Sequence, residues 1–176
     1  MTDAPAHHPI DPFDPAAINA AEGLEPVDPR FAHVLRVTAA LNMVPLAIGA
    51  SGFDALLIRH IEGPYGLVTA LAWAVAILFV AVFPSRRARR WGYHMGADEL
   101  RVARGWLFRT DTIVPFVRVQ HIDVGQGPVE RWFGLSHLIV HTSGTHNSTV
   151  TLPGLPAPLA AAMRETIRRH IQTDFA

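Results

Sequence analysis

The chain has 176 residues, enough for one domain of ordinary size or for a smaller domain with an appendage. Its 15 basic and 15 acidic residues cancel, so no global positive charge draws the protein to nucleic acid. The absence of cysteine excludes a disulfide framework, thiolate metal sites and cysteine nucleophiles.

The first 30 residues carry six acidic side chains against one arginine, whereas residues 86–176 carry twelve arginines against seven acids. This amino-terminal segment is rich in proline, aspartate and alanine and has few large apolar residues, which predicts a disordered acidic tail over residues 1–30. It is not typical of a secretory signal, because its start is acidic and contains no apolar core. Its pair His7 and His8 lacks the further ligands that a metal site needs.

Two apolar runs follow within residues 31–85. The second run, about residues 64–83, has no charged side chain over the roughly 20 positions needed to cross a bilayer core, which predicts a membrane span. The first run, about residues 37–58, is interrupted by Asn42, Pro45 and Asp54. A charge at the centre of a span costs roughly 2.5 to 3.5 kcal/mol, so we expect Asp54 near an interface. The alternative for each run is a buried helix of a soluble protein, which would be unusual in so small a domain.

The connection Arg59 to Pro64 is short, so we expect an antiparallel transmembrane hairpin with both ends on one side of the membrane. Arginines next to a span are retained in the cytoplasm, which predicts a multi-pass protein of the inner (plasma) membrane with both termini cytoplasmic. The arginines that follow the second span are also expected to contact anionic membrane lipids nonspecifically, each gaining roughly 1 kcal/mol. Because they adjoin a span and are not spread over a domain face, nucleic-acid binding is not expected. These residues are Arg86, Arg87, Arg89 and Arg90.

From Trp91 the pattern changes to short alternating segments separated by turn residues. The segments WGYHM, ELRVAR, WLFRTD, TIVPF, VRVQHIDV, HLIVHT and STVTL each have strand character. A helical period follows the prolines at 156 and 158, with Leu159, Met163, Ile167 and Ile171 recurring every four residues. The sequence therefore predicts a membrane-anchored α+β protein, in which residues 86–176 form a cytoplasmic domain of about seven strands closed by a carboxy-terminal helix.

The order of three blocks in this region resembles the bacterial pleckstrin-homology (PH) domain of YdbS-type membrane proteins, in which two amino-terminal spans precede one such domain. The blocks are ADELRVARGWLFR, IVPFVRVQHIDVGQGPVERWFGLSHLIVHTSG and LPGLPAPLAAAMRETI. The stretch from Gln120 to Gly134 is the most specific part, and the resemblance spans about residues 31–171. It implies a PH-like split β-barrel with a closing helix, and it implies no established reaction.

Residues 126–134 combine turn formers, a charge pair and two large aromatic side chains. In one interpretation this is a docking loop whose Arg131 engages a carboxylate or phosphate bidentately. In the other, which we favour, it is a structural connection with Trp132 and Phe133 in the core and Arg131 paired with Asp123 or Glu130. The candidate residues of this loop are Gln126, Gly127, Pro128, Arg131, Trp132 and Phe133.

Four histidines of the strand region raise a metal-binding or acid–base hypothesis, but they match no metalloprotease or nucleophile motif. These are His121, His137, His141 and His146. We therefore predict no catalytic residue, metal or cofactor.

The predicted function is a non-catalytic binding or assembly module anchored in the membrane. Its expected partner is a second copy of the chain, in a homo-oligomer, or another membrane protein. The alternative is an accessory subunit of a membrane enzyme or transporter, in which Asp54 or the histidines take part in chemistry or proton movement.

Overall fold

The computed structural model describes residues 15–57, 66–105, 108–143 and 149–173. The start of the predicted tail, the connection Arg59 to Pro64, Trp106, Leu107 and His146 lie outside these ranges. The elements follow in the order α1 (Pro15–Ala21), β1 (Glu25–Pro26), α2 (Phe31–Leu57), α3 (Leu67–Ala88), β2 (Gly92–Met95), β3 (Glu99–Arg104), β4 (Thr110–Pro115), a 3₁₀ turn (Phe116–Arg118), β5 (Val119–Gly125), α4 (Pro128–Trp132), β6 (Leu135–Thr142), β7 (Thr149–Pro156) and α5 (Ala157–Thr173).

Within the described ranges, seven strands form two antiparallel sheets. The first sheet has the order β1-β2-β3-β4 and the second the order β5-β6-β7. The predicted pair of apolar helices, the sheet-rich domain and the closing helix are confirmed. The strands are organised as two sheets, and their closure into a barrel stays a prediction.

Two strand boundaries differ from the sequence prediction. Of the predicted strand WLFRTD, Trp106 and Leu107 lie outside the described residues, and its last two residues, Thr110 and Asp111, belong to β4. Gly105 has φ +141°, and a Cβ there would lie 1.8 Å from the carbonyl oxygen of Phe108, so the end of β3 requires a glycine. The predicted strand VRVQHIDV begins two residues late, because Phe116 to Arg118 form a 3₁₀ turn whose Phe116 is buried.

The domain core lies between the two sheets and α5. On α5 the buried side is formed by Ala160, Met163 and Ile167, with Ile171 partly buried behind them. Leu159, predicted to face the core, is 37% exposed. Because a helix has 3.6 residues per turn, residues spaced strictly by four rotate gradually around its axis. Leu159 therefore lies off the buried side of α5, and Ala160 occupies the buried position instead.

The prediction of a disordered tail over residues 1–30 is wrong for residues 15–30. The short strand β1 pairs with β2, with Glu25 opposite Tyr93, and Leu24 and Val27 are buried against the domain. Burial, together with the hydrogen bond to the Glu25 carboxylate, raises the pKa of the Tyr93 phenol to about 12. A few regularly spaced apolar side chains are thus enough to hold residues 15–30 on the domain, because each of them packs against the sheet.

The first long helix begins inside the domain. Phe31 and Val34, in the first turns of α2, belong to the buried core, and the helix starts six residues before the predicted span. The backbone N–H of Asp28 donates to the carbonyl of Gly154 in β7 at 2.9 Å, which fixes the entry of the helix. At the other end of the hairpin, α3 continues past its predicted end to Ala88, which is buried in the same core. Both apolar helices therefore run without interruption into the domain.

A matched pair of glycine substitutions tests the packing of α2 on β7. Gly154 and Gly23 have nearly the same φ, +71° and +70°, but a Cβ at Gly154 would lie 2.7 Å from Cγ of Phe31, whereas one at Gly23 would contact nothing within 4 Å. Gly23→Ala should cost only the backbone strain, about 1 to 2 kcal/mol. Gly154→Ala should cost about 1 to 3 kcal/mol more, because it overpacks the core. Thermal unfolding of the full-length protein in detergent measures both, and equal losses of stability would contradict the docking of Phe31.

Candidate functional site

The outer surfaces of α2 and α3 are apolar and bare of protein. Large side chains such as Leu46, Leu71 and Leu78 are each 65% exposed, and only 17% and 11% of the most apolar segments of the two helices are buried. A core helix of a soluble protein would have these side chains covered. This surface suits lipid, as the sequence predicted.

Polar contacts join the two helices near both ends of the hairpin. Close to the domain, Arg36 donates to the hydroxyl of Ser85 at 2.7 Å. At the far end, the Asp54 carboxylate accepts from the Thr69 hydroxyl at 2.8 Å and from the Thr69 backbone N–H at 3.3 Å. Arg36 and Asp54 are separated by a rise of roughly 27 Å along α2, close to the thickness of a bilayer core. Both polar pairs are therefore spaced to lie near the two membrane interfaces.

Asp54 acts as a cap for the neighbouring helix. The residue that precedes α3, Gly66, supplies no side-chain cap, so the first N–H groups of the helix need another acceptor. Asp54 is 7% exposed and provides that acceptor from α2, where the helix dipole also favours a negative charge. Its contacts thus give Asp54 a role in joining the hairpin.

The arginines after the second apolar run extend α3 and follow its last turn. Arg86, Arg87 and Arg89 are exposed, and they come directly after Ser85, the partner of Arg36. Their positive charge is favourable at the carboxyl end of a helix. This position is the one that contact with headgroups would require, and the contact itself stays a prediction.

The loop of residues 126–134 contains a short helix that was not predicted. The carboxylate of Glu130 accepts from the Gly127 backbone N–H at 2.7 Å and lies 2.8 Å from Nδ1 of His137. The Gln126 side chain donates to the carbonyl of Leu135 at 2.8 Å. These bonds hold α4 against the start of β6, with Pro128 at its first turn.

The prediction that Trp132 lies in the core is wrong. The Trp132 side chain is 82% exposed and Arg131 is also exposed, whereas Val129 and Phe133 pack against the core. In a helical turn, residues four apart share a face, so Val129 and Phe133 point inward together and leave Arg131 and Trp132 outside. Of the two proposed partners of Arg131, Glu130 is engaged by His137 and Asp123 by His121.

The structure brings α4 to the end of the domain where the helical hairpin enters. The Arg30 side chain donates to the carbonyl of Phe133 at 3.1 Å, and the Phe133 ring stacks on His33 of α2 with centroids 6.1 Å apart. The arginines of α3 lie at the same level of the antiparallel hairpin. The two sequence-predicted groups of site residues, far apart in the chain, thus belong to one end of the domain, which we call the hairpin-proximal end.

The histidines lie in carboxylate pairs on the domain surface. Nε2 of His121 is 2.9 Å from the Asp123 carboxylate, and Nε2 of His141 is 3.7 Å from it. Across the ranges that the structure covers, no group of three or more potential ligand side chains has the arrangement to hold a metal ion. His137, the remaining candidate histidine within the described residues, is the partner of Glu130.

A cleft of about 500 Å³ lies between β5 and α5. It is lined by Gln120, His121, Ile122, Arg164, Arg168 and Ile171. β5 is an edge strand of its sheet, so one side of its backbone has no strand partner among the described residues. The cleft lies farther along the second sheet than the entry of α2, because Ile122 pairs with Val140, whereas Gly154, which accepts from the Asp28 backbone N–H, lies beside the start of β6. Sequence patterns had not predicted it, since its two walls are distant in the chain.

A surface network of ion pairs was also missed. Glu22 lies 3.0 Å from Arg101 and 2.9 Å from Arg109, and Asp111 also pairs with Arg101. The hydrogen bond to Asp111 and the charge of Glu22 raise the pKa of Arg101. The opposite charges of the amino-terminal segment and the rest of the chain were the available signal for such a contact. These two arginines are consequently already bound by carboxylates.

Comparison with known proteins agrees with this architecture. A model of the bacterial PH domain family matches residues 39–171. The chain is also similar to the transmembrane protein YdbS of Bacillus subtilis (strain 168), with 31% identity over 118 residues that cover 65% of this chain and 72% of that protein. No solved structure matches the chain significantly.

A double-mutant cycle tests the capping role of Asp54. Asp54→Ala should destabilise the protein by about 0.5 to 2 kcal/mol, the usual cost of losing a helix cap. With Thr69→Val it should show a coupling energy of about 0.6 to 1.7 kcal/mol, as for other hydrogen bonds between membrane helices. Unfolding of the full-length protein by titration with SDS gives the four free energies.

The control for this cycle is Asn42→Ala, because the Asn42 side chain donates to the Thr38 carbonyl of its own helix and, within the described residues, does not join α2 to α3. Zero coupling between Asp54 and Thr69, or a loss for Asn42→Ala as large as that for Asp54→Ala, would contradict the capping role.

Proposed function

The chain belongs to the bacterial PH domain family, and from this we propose that it is a non-catalytic binding or assembly module, anchored in the plasma membrane by two helices. Its PH-like domain is held at the cytoplasmic surface, and both termini are cytoplasmic. Its partner is a second copy of the chain or a neighbouring membrane protein. The main support is the continuity of both apolar helices with the core of the domain.

This continuity restricts how the domain can meet a partner. Phe31 and Val34 of α2 and Ala88 of α3 belong to the same core, so the domain is joined to the hairpin by packing on both helices. Confinement to a thin layer beside the membrane raises the effective concentration of domains, so that a weak contact becomes populated. The two-helix anchor therefore favours binding to partners in the same membrane most.

A protein partner is better supported than a specific lipid headgroup. A site that selects one phosphorylated headgroup needs several free basic groups around one loop, unlike a nonspecific contact with a lipid phosphate. Arg101 and Arg109 of the β3–β4 hairpin instead pair with Glu22 and Asp111. The edge of β5 beside the cleft offers a surface for strand addition by an extended segment of another chain.

The contact with membrane lipid that we propose for the arginines after α3 is nonspecific. Arg86, Arg87 and Arg89 follow the apolar helix without a gap and are exposed. Anionic lipid attracts such juxtamembrane charges by roughly 1 kcal/mol each. This charge also supports the cytoplasmic orientation of both termini.

The alternative of an accessory subunit with proton or metal chemistry depends on Asp54 and the histidines. Asp54 has the contacts of a helix cap, and His121 and His141 share the exposed carboxylate of Asp123. These contacts favour structural roles for both groups. We therefore retain the binding or assembly function.

The absence of native cysteine allows a direct test of the topology. Single cysteines at Ala16 and Glu62 are treated with a membrane-impermeant thiol reagent in intact cells. We expect labelling at Glu62, in the connection between the helices, and none at Ala16 until the membrane is permeabilised. Labelling at Ala16 in intact cells without labelling at Glu62 would reverse the orientation.

Cysteine crosslinking in native membranes tests the partner surface. Gln120→Cys lies at the exposed edge of β5 in the cleft, and Ala162→Cys is an exposed control on α5 outside the cleft. A short bifunctional maleimide should give discrete crosslinked species from Gln120→Cys at least several-fold more efficiently than from Ala162→Cys. A dimer indicates a second copy, and a species of another mass indicates a different membrane protein.

The lipid alternative is tested with the same full-length protein in phosphatidylcholine nanodiscs. A soluble phosphoinositide headgroup is added to these nanodiscs, and its binding is measured against nanodiscs without it. Saturable binding of one headgroup, combined with no crosslinked species from Gln120→Cys, would overturn the protein-binding proposal.

A further inference from the structure

Trp132 is an exposed aromatic residue that neither the core nor the β5–α5 cleft explains. Its side chain is 82% exposed, although the adjacent Phe133 is packed between the domain and His33. Tryptophan combines a large apolar ring with an N–H group, and it is enriched where one side of a protein surface is apolar and the other is wet. The position of Trp132 relative to the membrane decides whether its ring contacts water or lipid headgroups.

The depth of α4 relative to the membrane can be read along α2. Phe133 stacks on His33, which precedes Arg36 by three residues, or roughly 4.5 Å of helix rise. Arg36 and its partner Ser85 mark the polar end of the hairpin, because the apolar surface begins beyond them. The headgroup layer on each side of a bilayer is about 5 to 7 Å thick. α4 is therefore at the level of the headgroups.

The charge of α4 fits the same environment. Arg131, beside Trp132, is exposed, and no carboxylate among the described residues lies within ion-pair distance of it. Glu130, the acid of this helix, is directed toward His137 and the Gly127 N–H. The outward side of α4 thus presents an aromatic ring and a guanidinium, which match the acyl boundary and the phosphate of an anionic phospholipid.

We propose that α4 is a membrane-contact site in its own right: the Trp132 ring enters the headgroup layer next to the hairpin, and Arg131 binds a lipid phosphate. The site is continuous with the membrane surface at α2, whereas the arginine cluster belongs to α3. The domain then contacts the membrane beside α2, through α4, and beside α3, through the arginines. Two such contacts limit the rotation of the domain about the hairpin axis. As a consequence the β5–α5 cleft, farther along the second sheet, is held in a fixed orientation relative to the membrane.

This proposal rests on the proposed membrane anchoring but not on the identity of any protein partner. The test uses the full-length protein in vesicles of phosphatidylcholine and phosphatidylglycerol, with one nitroxide spin label on a single cysteine. Trp132→Cys is the test position. Leu71→Cys, 65% exposed on α3, is the membrane reference, and Val117→Cys, 74% exposed in the 3₁₀ turn, is the aqueous reference. Collisions of the label with oxygen, which enters lipid, and with a polar nickel chelate, which does not, report its depth.

We expect the label at Trp132 to be several-fold less accessible to the nickel chelate than the label at Val117, and shallower than the label at Leu71. Equal nickel accessibility at Trp132 and Val117, with Leu71 still protected, would overturn the contact at α4 and leave the anchoring intact. Exposure of all three labels to nickel would overturn the anchoring and this proposal together.

A second measurement keeps the native tryptophan. The emission of the protein minus that of Trp132→Phe isolates Trp132 from the three other tryptophans. This difference emission should be quenched by lipids that carry bromine near the headgroup, and less so after Arg131→Gln. A difference emission that is insensitive to brominated lipid contradicts the proposal even if the labelled cysteine variant folds differently.

Discussion

The packing of Phe31 against Gly154 is the contact on which the rest of the molecule depends. It joins the first turn of α2 to β7, and only a glycine leaves room for the phenylalanine ring. The same helix then leaves the domain as a lipid-facing element, so one rigid rod belongs both to the core and to the membrane anchor. The orientation of the domain relative to the membrane anchor is consequently set by side-chain packing. A flexible linker between the two would leave that orientation unrestricted.

This arrangement also explains why residues 15–30 are ordered. Once α2 starts in the core, the residues before it must cross the first sheet, and Leu24 and Val27 cover the apolar side chains there. Glu22 then reaches Arg101 and Arg109, which would otherwise leave a cluster of positive charge on the β3–β4 hairpin. Residues 15–30 are thereby an integral part of the domain, and their Glu22 offsets the positive charge of the β3–β4 hairpin.

The sequence was sufficient for features with a strong local period and insufficient for those that depend on tertiary contacts. The lipid-facing helices and β3 follow from their apolar pattern, and the arginines after the second span lie where that pattern predicts. The ordering of residues 15–30 could have been inferred, since Leu24, Val27, Phe31 and Val34 recur at intervals of three or four. The cleft could not, because β5 and α5 approach each other only through the fold.

Trp132 and Phe133 show most clearly where local reasoning fails. Two adjacent aromatic residues after a turn both suggest burial, but the helical turn of α4 directs only Phe133 to the core. Burial in protein and contact with lipid draw on the same apolar surface, so composition cannot distinguish them. The distinction requires knowing where the bilayer lies relative to the residue, and here Arg36 and His33 on α2 provide that reference. An exposed tryptophan is unfavourable on a soluble domain, and the contact proposed for α4 would place the Trp132 ring in lipid headgroups instead.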